Sequence, residues 1–383
     1  MKLKLSDIYE LQMGKTPARK EPSYWNGNHA WVSISDLSAG GKYIGETKEC
    51  ITDVGITESG IKLVPKGTLM MSFKLSLGKV AIAANDLYTN EAIMAFKDRK
   101  KYPVDRDYMY YQLQAIDWSA YTKKAVKGAT LNKATLSDVV VSLPSMEEQV
   151  HVRELLTTVD KAIDIAYKQT DLINELIQSR FVELFGEILD KGIPLAQIAE
   201  VTGGLTKNSK RNTLPKQMPY LRVANVLFNQ LDLSEVLTIG VKDNEIEKTT
   251  LCKGDLLFVE GNGSVEQIGR VAVWDGSIEP CLHQNHLIKA RFNSEKINPV
   301  YALFYFMSQK GRAQIVRRAV STSGLHTLSV GKIESLELPV PPIEKQNQFA
   351  DFVAQTDKSK LTIQKSMDNL RELRDSLLQE YFG

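Results

Sequence analysis

The apolar positions of this chain follow two rhythms, and each rhythm occurs twice. Short apolar stretches closed by glycine turns, such as Trp31-Val-Ser-Ile-Ser-Asp36, Lys66-Gly-Thr-Leu-Met70 and Gly78-Lys-Val-Ala81, predict strands. From Val152 the spacing changes to alternating threes and fours: Val152, Leu156, Val159, Ile163, Ala166, Thr170, Ile173, Ile177, Arg180 and Leu184. That is the seam of a long heptad helix. Val353, Thr356, Lys360, Ile363, Met367, Leu370, Arg374, Leu377 and Tyr381 make a second seam in the same register. Ahead of each seam lies an apolar helix, roughly Asp107 to Tyr121 and Pro299 to Val316, whose aromatics Tyr110, Tyr111, Phe304, Tyr305 and Phe306 suit a buried face.

The recurrence is an internal duplication. Leu5-Ser-Asp-Ile8 returns as Leu195-Ala-Gln-Ile198, and Gly14-Lys-Thr16 as Gly204-Leu-Thr206. Tyr220-Leu-Arg-Val-Ala-Asn225, Lys253-Gly-Asp-Leu-Leu257 and Gly269-Arg-Val-Ala272 repeat the three strand segments in order. Leu143-Pro-Ser-Met-Glu-Glu-Gln149 matches Val340-Pro-Pro-Ile-Glu-Lys-Gln346, and Leu184-Phe-Gly186 matches Tyr381-Phe-Gly383.

These patterns predict an α+β fold: two mixed α/β domains, residues 1–144 and 187–340, each followed by a long helix, residues 145–186 and 341–383. A short linker, Glu187 to Ile193, makes the second helix return antiparallel to the first, giving a pseudo-two-fold dumbbell around a two-helix coiled coil. About 40 helical residues span roughly 60 Å, or about 18 base pairs of DNA. Heptads alone would equally fit helices that dimerise two chains; the intramolecular repeat favours the internal pair. The polar seam residues Thr170, Arg180, Thr356, Lys360 and Arg374 are candidates for setting register.

Composition narrows the functional classes. Three widely spaced cysteines, Cys50, Cys252 and Cys281, supply no disulfide framework or Cys-x-x-Cys knuckle, and are expected to be reduced and buried. No long uncharged apolar run suggests a membrane span, and a cytoplasmic location is expected. A net charge of only +2 means that any field attracting nucleic acid must come from local clusters. Such clusters occupy the segments where the copies differ. Lys15 to Asn28 stands against Leu205 to Met218, and the loop before Gly78 is four residues shorter than the loop before Gly269. A third basic segment follows each apolar helix: Lys123, Lys124 and Lys127 in copy one, and Arg312, Arg317, Arg318 with Ser321-Thr-Ser-Gly324 in copy two. Lys and Arg contact phosphate or guanine, and Asn and Gln can pair with adenine. The candidate DNA contacts of copy one are Lys15, Thr16, Arg19, Lys20, Lys74, Lys123, Lys124 and Lys127. Those of copy two are Lys207, Asn208, Lys210, Arg211, Arg222, Asn225, Asn262, Ser264, Gln267, Arg317, Arg318, Ser323 and His326. Each taken singly also fits an ordinary solvated side chain; their recurrence at equivalent places carries the weight.

Catalytic patterns are poorly matched. Gly261-Asn-Gly263-Ser-Val-Glu266 lacks the third glycine of a dinucleotide loop, and Val340-Pro-Pro-Ile343 lacks the polar and aromatic flanks of an adenine methyltransferase motif. Cys281, His283 and His286 lie within six residues, but on a strand His286 faces away from the other two, so no metal site is expected. Neither a Walker A sequence nor an assignable Ser/His/Asp set is present.

Over essentially its whole length the chain resembles the specificity subunit of type I restriction-modification systems. The resemblance rests on Tyr220-Leu-Arg-Val-Ala-Asn225, Gly254-Asp-Leu-Leu-Phe258, Glu260-Gly-Asn-Gly263 with Ile268-Gly-Arg270, His283-Gln-Asn-His-Leu287, Leu338 to Gln346, and Arg180-Phe-Val-Glu-Leu-Phe-Gly186. Copy one departs from it at Thr89-Asn-Glu-Ala92 and at the short Phe73-Lys-Leu-Ser76 loop. The resemblance implies two target-recognition domains, each contacting one half of a bipartite double-stranded DNA sequence. It also implies spacer helices that dock two methyltransferase subunits, with Leu156, Ile163, Ile173, Ile177, Ile363, Met367, Leu370 and Leu377 as candidate docking positions. S-adenosylmethionine, ATP and Mg would then belong to the methyltransferase and restriction/translocase partners, and this chain would carry no cofactor and no catalysis. A self-contained DNA-modifying enzyme and a coiled-coil scaffold without a DNA role remain the alternatives.

Overall fold

The computed structural model describes residues 1–74, 76–122, 131–188, 192–322 and 324–383. The chain forms two units, Met1–Lys168 with Gln364–Gly383, and Gln169–Ile363. Among the described residues no helix is long and apolar enough to cross a membrane.

Unit 1 begins with β1 (Lys2–Lys4), α1 (Leu5–Ile8), β2 (Tyr9–Met13), β3 (Trp25–Val32), α2 (Ile34–Ala39), β4 (Tyr43–Ile44), β5 (Glu49–Ile51) and α3 (Asp53–Ser59). It continues with β6 (Leu69–Ser72), β7 (Val80–Ala83), β8 (Tyr88–Thr89), β9 (Ile93–Asp98), α4 (Arg106–Ala115), α5 (Lys133–Asp138), β10 (Val140–Ser142) and the first half of α6 (Met146–Phe185). A five-stranded sheet, β2-β9-β6-β7-β4, lies beside a three-stranded one, β5-β3-β8, while β1 pairs with β10. The aromatic helix is shorter than its apolar pattern suggests. Asp105 caps its start by accepting the Tyr108 N–H, but Ile116 is extended and Asp117 caps a separate turn at Trp118–Tyr121.

Unit 2 contains β11 (Ile193–Pro194), α7 (Leu195–Ile198), β12 (Ala199–Gly203), β13 (Gln217–Leu221), β14 (Val226–Leu227), β15 (Gln230–Leu231), β16 (Leu237–Gly240), α8 (Asp243–Thr249) and β17 (Leu256–Val259). There follow β18 (Gly261–Asn262), β19 (Val271–Val273), β20 (Leu282–His283), β21 (Leu287–Phe292), α9 (Pro299–Met307), α10 (Gln309–Arg318), β22 (Val320–Thr322), β23 (Leu325–Thr327), α11 (Val330–Glu334), β24 (Glu337–Leu338) and the first half of α12 (Ile343–Phe382), whose second half belongs to unit 1. Its main sheets are β12-β21-β17-β19 and β16-β13-β20, and β11 pairs with β24. Here too the expected apolar helix is broken. Ser308 ends α9 and caps α10 by accepting the Gly311 N–H, so 299–318 forms two helices.

The duplication is visible in hydrogen bonds. β3 pairs in parallel with β8 through Trp31 and Tyr88, as β13 does with β20 through Tyr220 and Leu282. Gly14 and Gly204 face the same constraint, since a Cβ would lie 2.2 Å from the Asn90 carbonyl oxygen in one copy and 2.0 Å from that of His283 in the other. Glycine is therefore kept at both places. Tyr108 and Tyr301 each direct the hydroxyl to a backbone carbonyl, of Ser142 at 3.3 Å and Pro339 at 3.0 Å.

The long helices bury the heptad positions, with a change at one end. In unit 1, Val152 and Leu156 join the domain core, with Leu377, Leu378, Tyr381 and Phe382 packed against it. Asp160 accepts from Arg374 at 2.8 Å, and Tyr167 further along α6 meets Arg371 earlier in α12, so these halves run antiparallel. In unit 2, Ile177, Phe181 and Phe185 pack with Phe349 and Val353. Phe181 and Phe185 lie deeper than the predicted Arg180 and Leu184. The 3.6-residue turn drifts off a strict heptad, and the larger rings fill the domain core. Of the cysteines, Cys281 is buried as expected and Cys50 half-buried, but Cys252 is exposed on the turn before β17.

Candidate nucleic-acid interface

In unit 1 the loops after β2, β6 and β8 converge at one end of the five-stranded sheet. Lys15 N–H donates to the Thr89 carbonyl, and Phe73 N–H to that of Ala92. The Thr16 hydroxyl donates to Glu91, and the Lys15 ammonium to the Ser59 carbonyl. Leu131 N–H reaches the Phe73 carbonyl, which brings Leu131 beside Lys74. Lys123, Lys124 and Lys127 themselves lie outside the described residues. Arg19 pairs with Glu49 and sets its guanidinium 4.0 Å from the Trp25 ring, a cation on an aromatic platform, while Lys20 is exposed.

Unit 2 repeats this convergence with a longer loop. Leu205 N–H donates to the His283 carbonyl, Glu260 N–H to that of His286, and Leu328 N–H to that of Glu260. The longer loop is no phosphate cradle. Its Gly261 and Asn262 form β18 and pair with Thr327 and His326 of β23, so the glycine-rich run extends a small sheet, β18-β23-β22. Asn262, Ser264, Gln267 and His326 are thereby brought together, with the Asn262 side chain accepting the Ser264 N–H at 2.9 Å. Ser323 lies outside the described residues. Arg312 holds the loop by donating to the Ile268 carbonyl at 2.7 Å over the Phe228 ring. Lys207, Asn208 and Lys210 are exposed on the preceding loop.

Several sequence-selected residues have intramolecular tasks instead. Asn225 is 3% exposed; its carbonyl accepts the Arg222 N–H and its amide donates to Asp232 and Glu235 carbonyls, so no edge is left for a base. Arg222 pairs with Glu235 at 2.7 Å. Arg211 pairs with Glu245 in a two-bond fork, which pulls the Glu245 carboxyl down to about 2 and holds the guanidinium above its ordinary range. Arg318 donates to the Ser335 carbonyl and hydroxyl, leaving Arg317 as the solvated member of that pair. The two imidazoles of the Cys281–His286 segment also serve separate partners. Buried His283 bonds the Thr249 carbonyl through Nδ1 at 2.9 Å, whereas exposed His286 bonds Glu260 at 2.6 Å.

The structure adds residues that charge-based selection passed over. Val265 and Leu325 are exposed apolar side chains in the segments carrying Asn262 and His326. Apolar residues in a polar, glycine-flanked loop were the available signal, because thymine is distinguished by its methyl group. The helix positions expected to dock partners lie along the seam. Leu156, Ile177 and Met367 are buried, and Ile163, Ile173, Ile363, Leu370 and Leu377 are half-buried along the seam. Leu156, Ile173, Ile177 and Leu377 pack into the cores of their own units. The exposed apolar side chains are others, among them Leu172, Leu176 and Val182 on α6 and Leu361 on α12 in unit 2, and Ile165 on α6 and Leu373, the repeat counterpart of Leu176, on α12 in unit 1.

The family profile described as Type I restriction modification DNA specificity domain matches residues 1–175 and 191–370. The chain is 26% identical over 404 residues to the type I restriction enzyme MjaIX specificity subunit of Methanocaldococcus jannaschii, covering 98% of this chain and 90% of the relative. Among solved structures it resembles the type I restriction-modification S subunit from M. genitalium, with a TM-score of 0.54 at 16% identity, covering 100% of this chain and 96% of that one. A structure described under complex assembly and conformational transition of the type I R-M system superposes with a TM-score of 0.59 at 13% identity, covering 100% and 97%. At those identities the likeness is one of fold.

Proposed function

The chain belongs to the type I restriction-modification DNA specificity family, and from that premise we propose that each unit contacts one half of a bipartite DNA target while the paired helices set the gap and dock methyltransferase subunits. The carrying observation is the pattern of agreement between the copies. Scaffold features recur, as at Gly14 and Gly204, whereas the loops at the shared end of each sheet differ in length and chemistry. Selection for two different half-sites on one scaffold produces that pattern. Lys15, Lys20, Lys207, Lys210 and Arg317 supply phosphate contacts, and Asn262, Ser264, Gln267 and His326 face base edges, with Val265 and Leu325 available to thymine methyls.

The exposed leucines are the docking positions in this reading. Two copies of one methyltransferase subunit would require a repeated contact, and Leu176 and Leu373 occupy repeated places. S-adenosylmethionine, ATP and Mg are assigned to the partner subunits, and methyl transfer and cleavage to the assembled complex.

Replacing residues 194–340 by the corresponding domain of a relative, followed by sequencing of methylated adenines in cells carrying the co-encoded methyltransferase, tests the proposal. One half of the motif should change while the other half and the gap persist. Methyl transfer by the isolated chain, or a wholly new motif, would overturn it.

A further inference from the structure

One cation keeps its place in both copies at the end of the sheet assigned to DNA. Lys79 follows Gly78 just ahead of β7, and Arg270 follows Gly269 just ahead of β19. Both glycines have a positive φ, 77° and 63°. A Cβ on either would lie 2.4 Å from a core side chain, Trp118 in unit 1 and Ile315 in unit 2. Glycine is therefore required at each turn, and the residue after it is fixed against the preceding strand. Ser72 N–H donates to the Lys79 carbonyl and Val259 N–H to that of Arg270, both at 2.9 Å.

The two side chains also reach matching segments. The Lys79 ammonium donates to the Ser38 hydroxyl at 2.6 Å, and the Arg270 guanidinium to the Val223 carbonyl at 3.3 Å. These lie on the turns after β3 and β13, where Asp36 accepts the Ser33 N–H and Asn225 the Arg222 N–H, each at 2.8 Å. Each bond occupies one donor of a group that has three or five. Among the described residues neither Lys79 nor Arg270 forms an ion pair, whereas Arg19, Arg211 and Arg222 are matched by Glu49, Glu245 and Glu235. Both are half-buried. A partly desolvated cation without a counter-charge in its own chain is suited to an external anion.

Between the copies the residue changes while the charge does not. Lysine and arginine are not interchangeable where two bonds grip a base edge, but either meets a phosphate oxygen, and phosphates are the same in every sequence. Strand order places the cations suitably. β2, which leads to Lys15, is separated from β7 by β9 and β6; β12, which leads to Lys207, is separated from β19 by β21 and β17. Three spacings of roughly 4.8 Å set the two ends of each row about 14 Å apart. That is close to the major-groove width of about 12 Å, and the loops that differ between the copies lie in between.

We propose that Lys79 and Arg270 are phosphate anchors common to both half-sites. Each holds a DNA backbone phosphate across the groove from Lys15 or Lys207, and neither takes part in the choice of bases. This rests on the DNA reading above and adds which cations are indifferent to sequence.

Fluorescence anisotropy across a salt series tests this, with the full chain assembled with the co-encoded methyltransferase and two labelled duplexes, one bearing the methylated motif and one scrambled. Lys79→Gln and Arg270→Gln should each weaken both duplexes by the same factor, about fivefold to tenfold, and flatten the slope of log affinity against log salt by about 0.9. The double variant should flatten it by about 1.8. Lys79→Arg and Arg270→Lys should bind as the wild type does, which separates charge from packing if a glutamine variant melts early. The motif methylated in cells should stay the same in every variant. A changed base at any position of that motif overturns the proposal. Weakened binding by the charge-keeping variants also overturns it, because it would mark a contact of the fold. Absence of duplex binding by the wild-type complex would overturn the DNA reading and this inference together; wild-type binding with unaltered slopes in the glutamine variants overturns this inference alone.

Discussion

The side-chain carbonyl of Gln346 accepts the Asn298 backbone N–H at 2.9 Å, joining the first turn of α12 to the residue that caps α9. The Gln346 amide donates to the Lys296 and Pro341 carbonyls at 3.0 and 2.8 Å, and the residue is fully buried. Gln149 does the same in unit 1, accepting from Asp105 at 2.9 Å and donating to Pro103 and Pro144. Each glutamine thus ties a spacer helix to its own domain.

Gln346→Ala leaves three buried backbone groups without partners, and the expected loss is about 2–3 kcal/mol of stability. Gln149→Ala should cost a similar amount. Urea denaturation of the full chain measures both, and Gln346→Glu should also destabilise, because a carboxylate cannot donate to the two carbonyls.

Asn225 and Lys207 separate structure from recognition. Asn225→Ala should lower the unfolding midpoint, since its buried amide makes three hydrogen bonds. Lys207→Ala should leave the midpoint unchanged while weakening DNA binding by the assembled complex. If Lys207 meets a phosphate, the slope of log affinity against log salt should flatten by about 0.9. Salt titration of binding to a short duplex gives the slope.

His283 makes unit 2 sensitive to mild acid. Burial pushes its imidazole down to about 4, with Lys289 adding to the effect and the bond to the Thr249 carbonyl opposing it. The unfolded chain takes up this proton near pH 6.5, so the folded state is fully stable above that value and loses stability as the pH falls toward 4. Over pH 6.5 to 4.5 the expected loss is roughly 2–3 kcal/mol. His283→Thr, the residue copy one carries as Thr89, should flatten stability across that window in urea melts; an unchanged pH profile would refute the assignment.

Exposure distinguishes docking from packing on the spacer helices. Leu176→Glu and Leu373→Glu should abolish assembly with the methyltransferase, observed by size-exclusion chromatography, while leaving the melting temperature within a few degrees. Ile177→Glu, one residue along, should instead unfold unit 2 by placing a charge in its core.

Much of the architecture was legible because it rests on periodicity and repetition. The seams from Val152 and Val353, the twin glycines Gly14 and Gly204, and the aromatics around Tyr110 and Phe304 are patterns of spacing, and spacing along a helix or strand maps directly onto a face. The breaks at Ile116 and Ser308 were not legible, since continuing apolar residues mask a cap that depends on one local backbone turn.

The sequence by itself determined the duplication, the strand-rich domains with their heptad helices, and the segments where the copies diverge. Tertiary structure decided which side chains those segments leave free. Asn225, Arg211 and Arg318 looked the same in sequence as Lys207 and Lys210, but three of the five are held by partners at least ten residues away. The seam residues are buried or half-buried, and the exposed Leu176 and Leu373 lie outside the heptad pattern. Whether a polar group meets solvent or an internal partner depends on distant chain segments brought together by folding, and no local pattern carries that information.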